Sequence, residues 1–203
     1  MIITISGMPY SGKSTVAKML LEKLSWERIY VGGIRRELAR KKGMTIEELN
    51  IYGETHPETD VDVDKEAAAQ ARKLNSKGKN VIVEGRTQFH FLPESLKIYI
   101  KVNDKEAVKR MLKDMHDAQA LKARNEKLIT SEKEALKRIH EREEEDARRY
   151  NKFYGIDHRD EKQYDFIVDS SKLTPEEVVE EIIQFINKNK KETTKINSKK
   201  KVK

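Results

Sequence analysis

Nine consecutive residues, Gly7-Met8-Pro9-Tyr10-Ser11-Gly12-Lys13-Ser14-Thr15, match the pattern GxxxxGK[ST]. The two glycines let the backbone wrap an anion with its N–H groups turned inward, and a helix beginning at the second glycine adds the positive end of its dipole. In such a cradle Lys13 reaches the β- and γ-phosphates of a nucleoside triphosphate, and the Ser14 hydroxyl is placed to hold Mg²⁺. Two further glycine–arginine clusters follow at a distance, Gly32-Gly33-Ile34-Arg35-Arg36 and Gly85-Arg86. Arginine presents a planar fork suited to phosphate oxygens. Arg36 and Arg86 therefore suggest a second phosphate-bearing ligand opposite the first, whereas Arg35 reads as an ordinary surface arginine. Farther on, Arg142, Asp146 and Arg149 are spaced by four and three, one face of a helix, and Ala135 and Arg138 extend that line. Taken alone, this stripe reads as a solvated, ion-paired helix face. Taken with the cradle, it reads as a lid whose arginines close over phosphates, with Arg110 on the preceding helix joining from the other side.

These groups need a scaffold that brings them to one place. Ile2–Ser6, Arg28–Val31, Asn80–Glu84, Leu96–Val102 and Tyr164–Val168 read as short strands rich in β-branched residues. Helices are expected between them at Ser14–Leu24, Gly33–Lys42, Ile46–Glu54, Glu58–Ser76, Asp104–His116, Ser131–Lys152 and Thr174–Asn187. Thr45 with Glu48, and Ser131 with Glu134, have the form of capping boxes, and Asp104 is the expected cap of its helix. Residues 117–130 are polar and weakly patterned. Five strands alternating with helices predict an α/β fold, a five-stranded parallel sheet covered on both faces. Ligands in such sheets lie beyond the carboxyl ends of the strands, where all the glycine clusters fall.

The composition narrows the chemistry. The 203 residues include no cysteine, which excludes disulfides, thiol catalysis and cysteine-ligated zinc, and the cytoplasm is the expected compartment. No apolar run approaches the ~20 residues of a membrane span. The strand at Ile2 runs straight into the glycine motif, which leaves no room for a leader. The formal charge is +7. Residues 188–203 hold eight lysines and one glutamate, so the other 187 residues are balanced. Residues 1–187 are thus expected to form one domain. Residues 188–203 are expected to be a disordered, solubilising tail capable at most of weak RNA contact. The helical stretches 32–76 and about 112–140 read as insertions over the sheet. The five histidines, 56, 90, 116, 140 and 158, show no metal-ligand spacing and read as surface or structural. Asp60, Asp62 and Asp64 read as a polar helix face, with service as a general base the alternative.

The guanine-specifying NKxD and the DxxG switch of GTPases are absent, and so is an LSGGQ-like signature. A small phosphotransferase remains. Its ordered motifs are GxxxxGKST, Gly32-x-Ile34-x-Arg36, Glu84-Gly85-Arg86 and Arg142-x₃-Asp146-x₂-Arg149. With them stand Tyr154-Gly155-Ile156-Asp157 and His56-Pro57-Glu58-x-Asp60. This set resembles the cytidylate kinases, the short archaeal type above all, over roughly residues 1–187. The resemblance implies the three-layer nucleoside-monophosphate-kinase fold with a monophosphate-binding insertion and a lid. It implies transfer of a phosphoryl group from ATP to CMP or dCMP with Mg²⁺. By position, Gly7 through Thr15 and Arg110 would bind ATP, and Gly32, Arg36, Gly85, Arg86 and Asp146 the monophosphate. Lys13, Arg86, Arg142 and Arg149 would act on the transferring group, and Asp146 would help to read the cytosine end. A monomer is expected, with no specific nucleic-acid partner. The chain departs from the bacterial pattern at Thr87-Gln88-Phe89, where aspartate follows Gly-Arg, at Val31, where serine stands, and at Glu145 or Ala147, where a further arginine stands. The alternatives are a kinase of another small acceptor, or an RNA-associated nucleotide-binding module.

Overall fold

A computed structural model of the chain describes residues 1–126 and 128–200, with side chains through Lys190. Five strands, β1 (Ile2–Gly7), β2 (Glu27–Tyr30), β3 (Val81–Glu84), β4 (Leu96–Lys101) and β5 (Phe166–Asp169), form one sheet in the order β2-β3-β1-β4-β5. Every pairing is parallel, with Ile3 opposite Ile82, Ile5 opposite Ile98 and Ile100 opposite Val168. β1 and β3 are buried along their whole length. That is why they read as unbroken apolar runs rather than as alternating ones.

The two faces bury different helices. On one, Ile3, Ile5, Ile82, Ile98 and Ile100 pack under Val16, Ala17 and Leu20 of α1 (Lys13–Leu24) and under Val178, Val179, Ile182 and Ile186 of α9 (Pro175–Lys200). On the other, Ile2, Val81 and Val83 meet Ala67, Ala68 and Ala71 of α4 (Glu58–Ser76). Between β2 and β3 the chain runs through α2 (Val31–Lys41), α3 (Ile46–Gly53) and α4. After β3 comes a single turn, α5 (Gln88–Phe91). After β4 come α6 (Asp104–Met115), α7 (Ala118–Arg124) and the long α8 (Glu132–Tyr154). α6 and α8 share an apolar seam of Ala107, Met111, Ala135 and Ile139.

The sequence locates each strand within two residues, and the differences have local causes. α2 begins at Val31, so Gly32 and Gly33 lie in its first turn rather than in a loop. A Cβ at Gly33 would stand 2.5 Å from the Tyr30 ring, so the glycine there makes room for an aromatic side chain. Asn103, not Asp104, caps α6 by accepting from the Glu106 N–H. Residues 117–130 contain α7, capped by Asp117 and closed by Asn125 in the left-handed conformation; its seven residues, none of them buried, are too few to show a period. α9 does not stop at Asn187, where a disordered tail was expected, but continues to Lys200. Its lysines and glutamate favour helix, and no glycine or proline interrupts them. Residues 201–203 of the expected tail lie outside the described residues.

Ile182 is fully buried. Ile182→Ala is expected to cost about 2–5 kcal/mol by removing methylenes from a close-packed layer. Ending the chain after Asn187 keeps all four α9 core residues and is expected to cost less than ~1 kcal/mol. Urea unfolding of the two variants checks the contrast.

Candidate active site

The carboxyl ends of β1, β2 and β3 open on one cleft. It is lined by Pro9, Tyr10, Gly12, Lys13, Ser14 and Thr15 from the first loop, by Gly32, Arg35 and Arg36 from α2, by Gly85 and Arg86 after β3, and by Arg142, Asp146 and Arg149 from α8. Residues separated by up to 140 positions meet there because parallel strands all end on the same side of the sheet.

The cradle is built from close backbone approaches. Gly7 has φ 149°, and a Cβ there would lie 2.1 Å from the carbonyl oxygen of Ile100, so no side chain fits. Gly12 precedes α1, whose first turn has no side-chain cap and whose free N–H groups face the loop. Lys13 is half-buried in this loop and donates to the Met8 carbonyl at 2.8 Å. Burial, reinforced by the Arg86 charge, holds its ammonium pKa well below the ordinary value. Among the described residues no carboxylate stands within ion-pair distance of it. The Ser14 hydroxyl donates to Glu84 Oε1 at 2.5 Å, and the other oxygen of Glu84 pairs with Arg28.

Across the cleft stands a wall of guanidinium groups. Arg86 pairs with Asp146 and lies 3.7 Å from Glu143. Arg149 donates through Nη2 to Asp146 at 2.5 Å and through Nε to Asp60 at 3.2 Å. Arg142 donates to Glu126 Oε1 at 2.6 Å. Burial works against the Arg142 charge, but Glu126 and the Tyr10 oxygen outweigh it and raise the pKa. Burial lowers the pKa of Arg36 and of Arg86. Arg36 differs from the others in its partners. It donates to the Tyr30 hydroxyl at 2.8 Å, to the Gly32 carbonyl at 3.0 Å and to the Arg124 carbonyl at 2.9 Å, and among the described residues it meets no carboxylate. Half-buried Lys13 and buried Arg36 are thus two cations served, among the described residues, only by neutral oxygens.

A second recess adjoins the first, lined by Gly12, Thr15, Val16, Arg110, Ser170, Leu173 and Val178. Arg110 is fixed there by the Ser170 carbonyl at 2.7 Å, the Ser170 hydroxyl at 3.0 Å and Glu106 at 3.0 Å. Gly7, Met8 and Ser11 line neither the main cleft nor, apart from Ser11, this recess; they shape the loop from behind.

Two expectations need correction. Arg35 is buried rather than an ordinary surface group; it pairs with Asp60 and donates to Asn50 Oδ1 at 3.0 Å. Asp60 and Asp64 are buried on the cleft wall, while Asp62 is exposed. The α8 stripe through Arg142, Asp146 and Arg149 faces inward, continuous with the apolar Ala135 and Ile139. A signal was present in each case. Val31, Arg35 and Ala39 share one helical stripe, as do Asp60, Asp64, Ala67 and Ala71, so charged residues prolong an apolar face. Glu126, which holds both Arg142 and the Tyr10 hydroxyl at 2.6 Å, and Arg124, stacked 4.4 Å over the Tyr10 ring, lie in the stretch without pattern and carried no such signal.

Behind Arg86 and Lys13, His158 is fully buried edge-on to Tyr150, and among the described residues neither ring nitrogen has a hydrogen-bond partner. Burial, then the Arg86 charge, lowers its pKa from 6.5 to about 3. The unfolded chain therefore binds this proton between about pH 3 and 6.5 and the folded chain does not. The contribution is fully present above 6.5 and is lost as pH falls toward 3, by about 1.4 kcal/mol per unit. Replacing His158 by Phe is expected to flatten the acid side of the stability–pH curve by about that slope, measured by urea unfolding from pH 7 to 4.5.

Comparison with known proteins places these features in a group. The profile of the cytidylate kinase-like family matches residues 2–172. A cytidylate kinase of Archaeoglobus fulgidus is 38% identical over 187 residues, 92% of this chain and 94% of that protein. One from Pyrococcus furiosus is 34% identical over 179 residues, 88% of this chain and 84% of that protein. Among solved structures, an uncharacterized protein from Eubacterium ventriosum superposes with TM-score 0.65 at 19% identity over 92% of this chain and 98% of that one. The shikimate kinase of Acinetobacter baumannii, in complex with shikimate, superposes with TM-score 0.54 at 18% identity over 93% and 94%. At these identities the two structures share the fold alone.

Proposed function

This chain belongs to the cytidylate kinase-like family, and on that premise we propose how its cleft carries out the reaction. It is a nucleoside-monophosphate kinase that moves the γ-phosphoryl group of ATP to CMP or dCMP, giving ADP and CDP or dCDP. Relatives named as this enzyme over nearly the whole chain do not favour an RNA-associated module. The observation that carries the site assignment is the pair of cations that meet no carboxylate among the described residues, half-buried Lys13 in the cradle and buried Arg36 opposite, each open to anionic oxygen.

The donor phosphates lie in the loop Gly7–Thr15, held by main-chain amides and Lys13, with adenine in the recess beside Arg110. The acceptor phosphate lies against Arg36 and Arg86, where Gly32 and Gly85 permit close approach. An oxygen of that phosphate, already anionic at neutral pH, forms a bond to the γ-phosphorus as the bond to the β-bridging oxygen breaks. No general base is needed, so positioning and charge neutralisation supply the rate. Arg142 and Arg149 face the transferring group, and Asp146 keeps Arg86 and Arg149 at a common spacing. The segment of about 112–140 acts as the lid, and 32–76 encloses the acceptor.

The Ser14 hydroxyl and the Glu84 carboxylate, 2.5 Å apart beside Lys13, are hard oxygen donors that fit Mg²⁺. Among the described residues no three acidic or histidine side chains gather into a cage, which suits a cation shared with phosphates and water. Bound with ATP, the ion would supply further neutralisation of phosphate charge. No described helix is long and apolar enough to cross a membrane. A monomer accords with a cleft whose lining residues come from this chain, the absence of cysteine suits the cytoplasm, and the Lys-rich end adds at most weak RNA contact.

An ADP-release assay with Mg-ATP against CMP, dCMP, UMP, AMP and GMP is expected to show turnover with CMP or dCMP foremost. Absence of turnover with both overturns the assignment. Lys13→Ala is expected to abolish turnover with the circular dichroism spectrum unchanged. Arg86→Ala is expected to raise KM for CMP about 10–100-fold, the loss of one charge-assisted contact, while ATP affinity changes little. An unchanged KM for CMP in that variant removes Arg86 from the acceptor site.

A further inference from the structure

Phosphate transfer accounts for the guanidinium wall but not for everything on it. From Arg86, beside the cradle, contacts run outward without a break: Arg86 to Asp146, Asp146 to Arg149, Arg149 to Asp60, Asp60 to Arg35, Arg35 to Asn50. The inner part of this line faces the phosphates. The outer part, Asp60, Arg35 and Asn50, lines the same cleft one arginine farther from Lys13, and carboxylate there would repel a phosphate. What an acceptor nucleotide places beyond its phosphate is its sugar and base.

The chemistry of these three side chains is directional. A guanidinium has donors only, so Arg35 fixes the Asn50 amide with its oxygen inward, at 3.0 Å. The Asn50 amide nitrogen is thereby turned away from Arg35. Asn50 is 4% exposed, and among the described residues its nitrogen has no partner. Asp60 forms an ion pair with Arg35 through one oxygen and accepts from Arg149 Nε through the other, which leaves lone pairs on both. The outer cleft thus presents an acceptor from Asp60 beside a free donor from Asn50 that opens on the cleft. Cytosine offers the complement along its Watson–Crick edge: a donor at the N4 amine and an acceptor at N3. Uracil offers the reverse, an acceptor at O4 and a donor at N3.

The geometry points to Asp60 and Asn50 as the residues that read cytosine, with Asp60 accepting from N4, Asn50 donating to N3, and Arg35 as the positioning residue that orients both. The inference rests on the reading of the cleft as a CMP site. It assigns discrimination against UMP to mismatched buried polar groups, the arrangement that rejects an analogue most strongly.

The test is the ratio of kcat/KM for CMP to that for UMP, measured with saturating Mg-ATP in the full-length protein. Asp60→Asn gives the outer cleft a donor that suits O4. It is expected to lower the ratio at least about tenfold, with UMP holding or gaining while CMP falls and KM for ATP unchanged. Asn50→Ala, which removes one donor and leaves Asp60 paired, is expected to narrow the ratio in the same direction and guards against failure of the first variant to fold. Equal losses for CMP and UMP in both variants would show a merely structural role and overturn the inference. So would a wild-type enzyme that uses the two alike, or a ratio that moves with Asp146→Asn and not with Asp60→Asn. Wild-type protein that phosphorylates neither CMP nor dCMP would instead sink the underlying functional reading, so the two failures are distinguishable.

Discussion

A guanidinium withdrawn from water must be met by negative charge or by well-placed oxygens, and the cleft is organised around that demand. Arg35, Arg86, Arg142 and Arg149 each reach a carboxylate of the chain itself, Asp60, Asp146, Glu126 or Glu143. Losing one member of such a buried pair costs about 3–5 kcal/mol, because the other charge is stranded. The carboxylates therefore let the protein fold with its cations in place before any ligand arrives. They also set a competition, since an entering phosphate must offer the guanidinium groups more than a carboxylate does. A phosphate can do so with more oxygens and more charge.

The sheet supplies the rigidity this balance requires. The apolar layers over Ile3, Ile5, Ile82, Ile98 and Ile100 hold the strand ends so that the loop after β1 and the arginine after β3 are set by the stiffest part of the molecule. The opposing side chains come from α2, α4 and α8, which pack on that frame from outside. Rigid donor side and helical acceptor side suit a reaction whose catalysis is positioning, in which the two anionic ligands must be brought together against their repulsion.

One helix shows how polar residues acquire roles from their place in an apolar stripe. On α4, Ala67, Ala68 and Ala71 press against the sheet, and the same stripe carried toward the amino end arrives at Asp64 and Asp60. Asp64 is held by Thr87, Gln88 and Tyr154, which ties α4 to the loop after β3 and to the end of α8. Burial raises its pKa even though those hydrogen bonds oppose the shift. Asp60 meets two arginines.

From its residues alone this chain specified the phosphate cradle, the order and approximate limits of its strands and main helices, and the arginines Arg36, Arg86, Arg142 and Arg149. Each is written locally, in a glycine spacing, a β-branched run, a cap or a turn of three or four residues. Which charges are buried was decided elsewhere. Arg35, Asp60 and Glu126 belong to segments 25 to 91 positions apart, and each alone looks solvated, because burying a charge is unfavourable until its partner is known. That partner is brought up by α2, α4 and the segment before α8 as they fold over the sheet, so only the tertiary structure could turn Arg35 and Asp60 into the lining of a cleft and Glu126 into the brace of its Arg142.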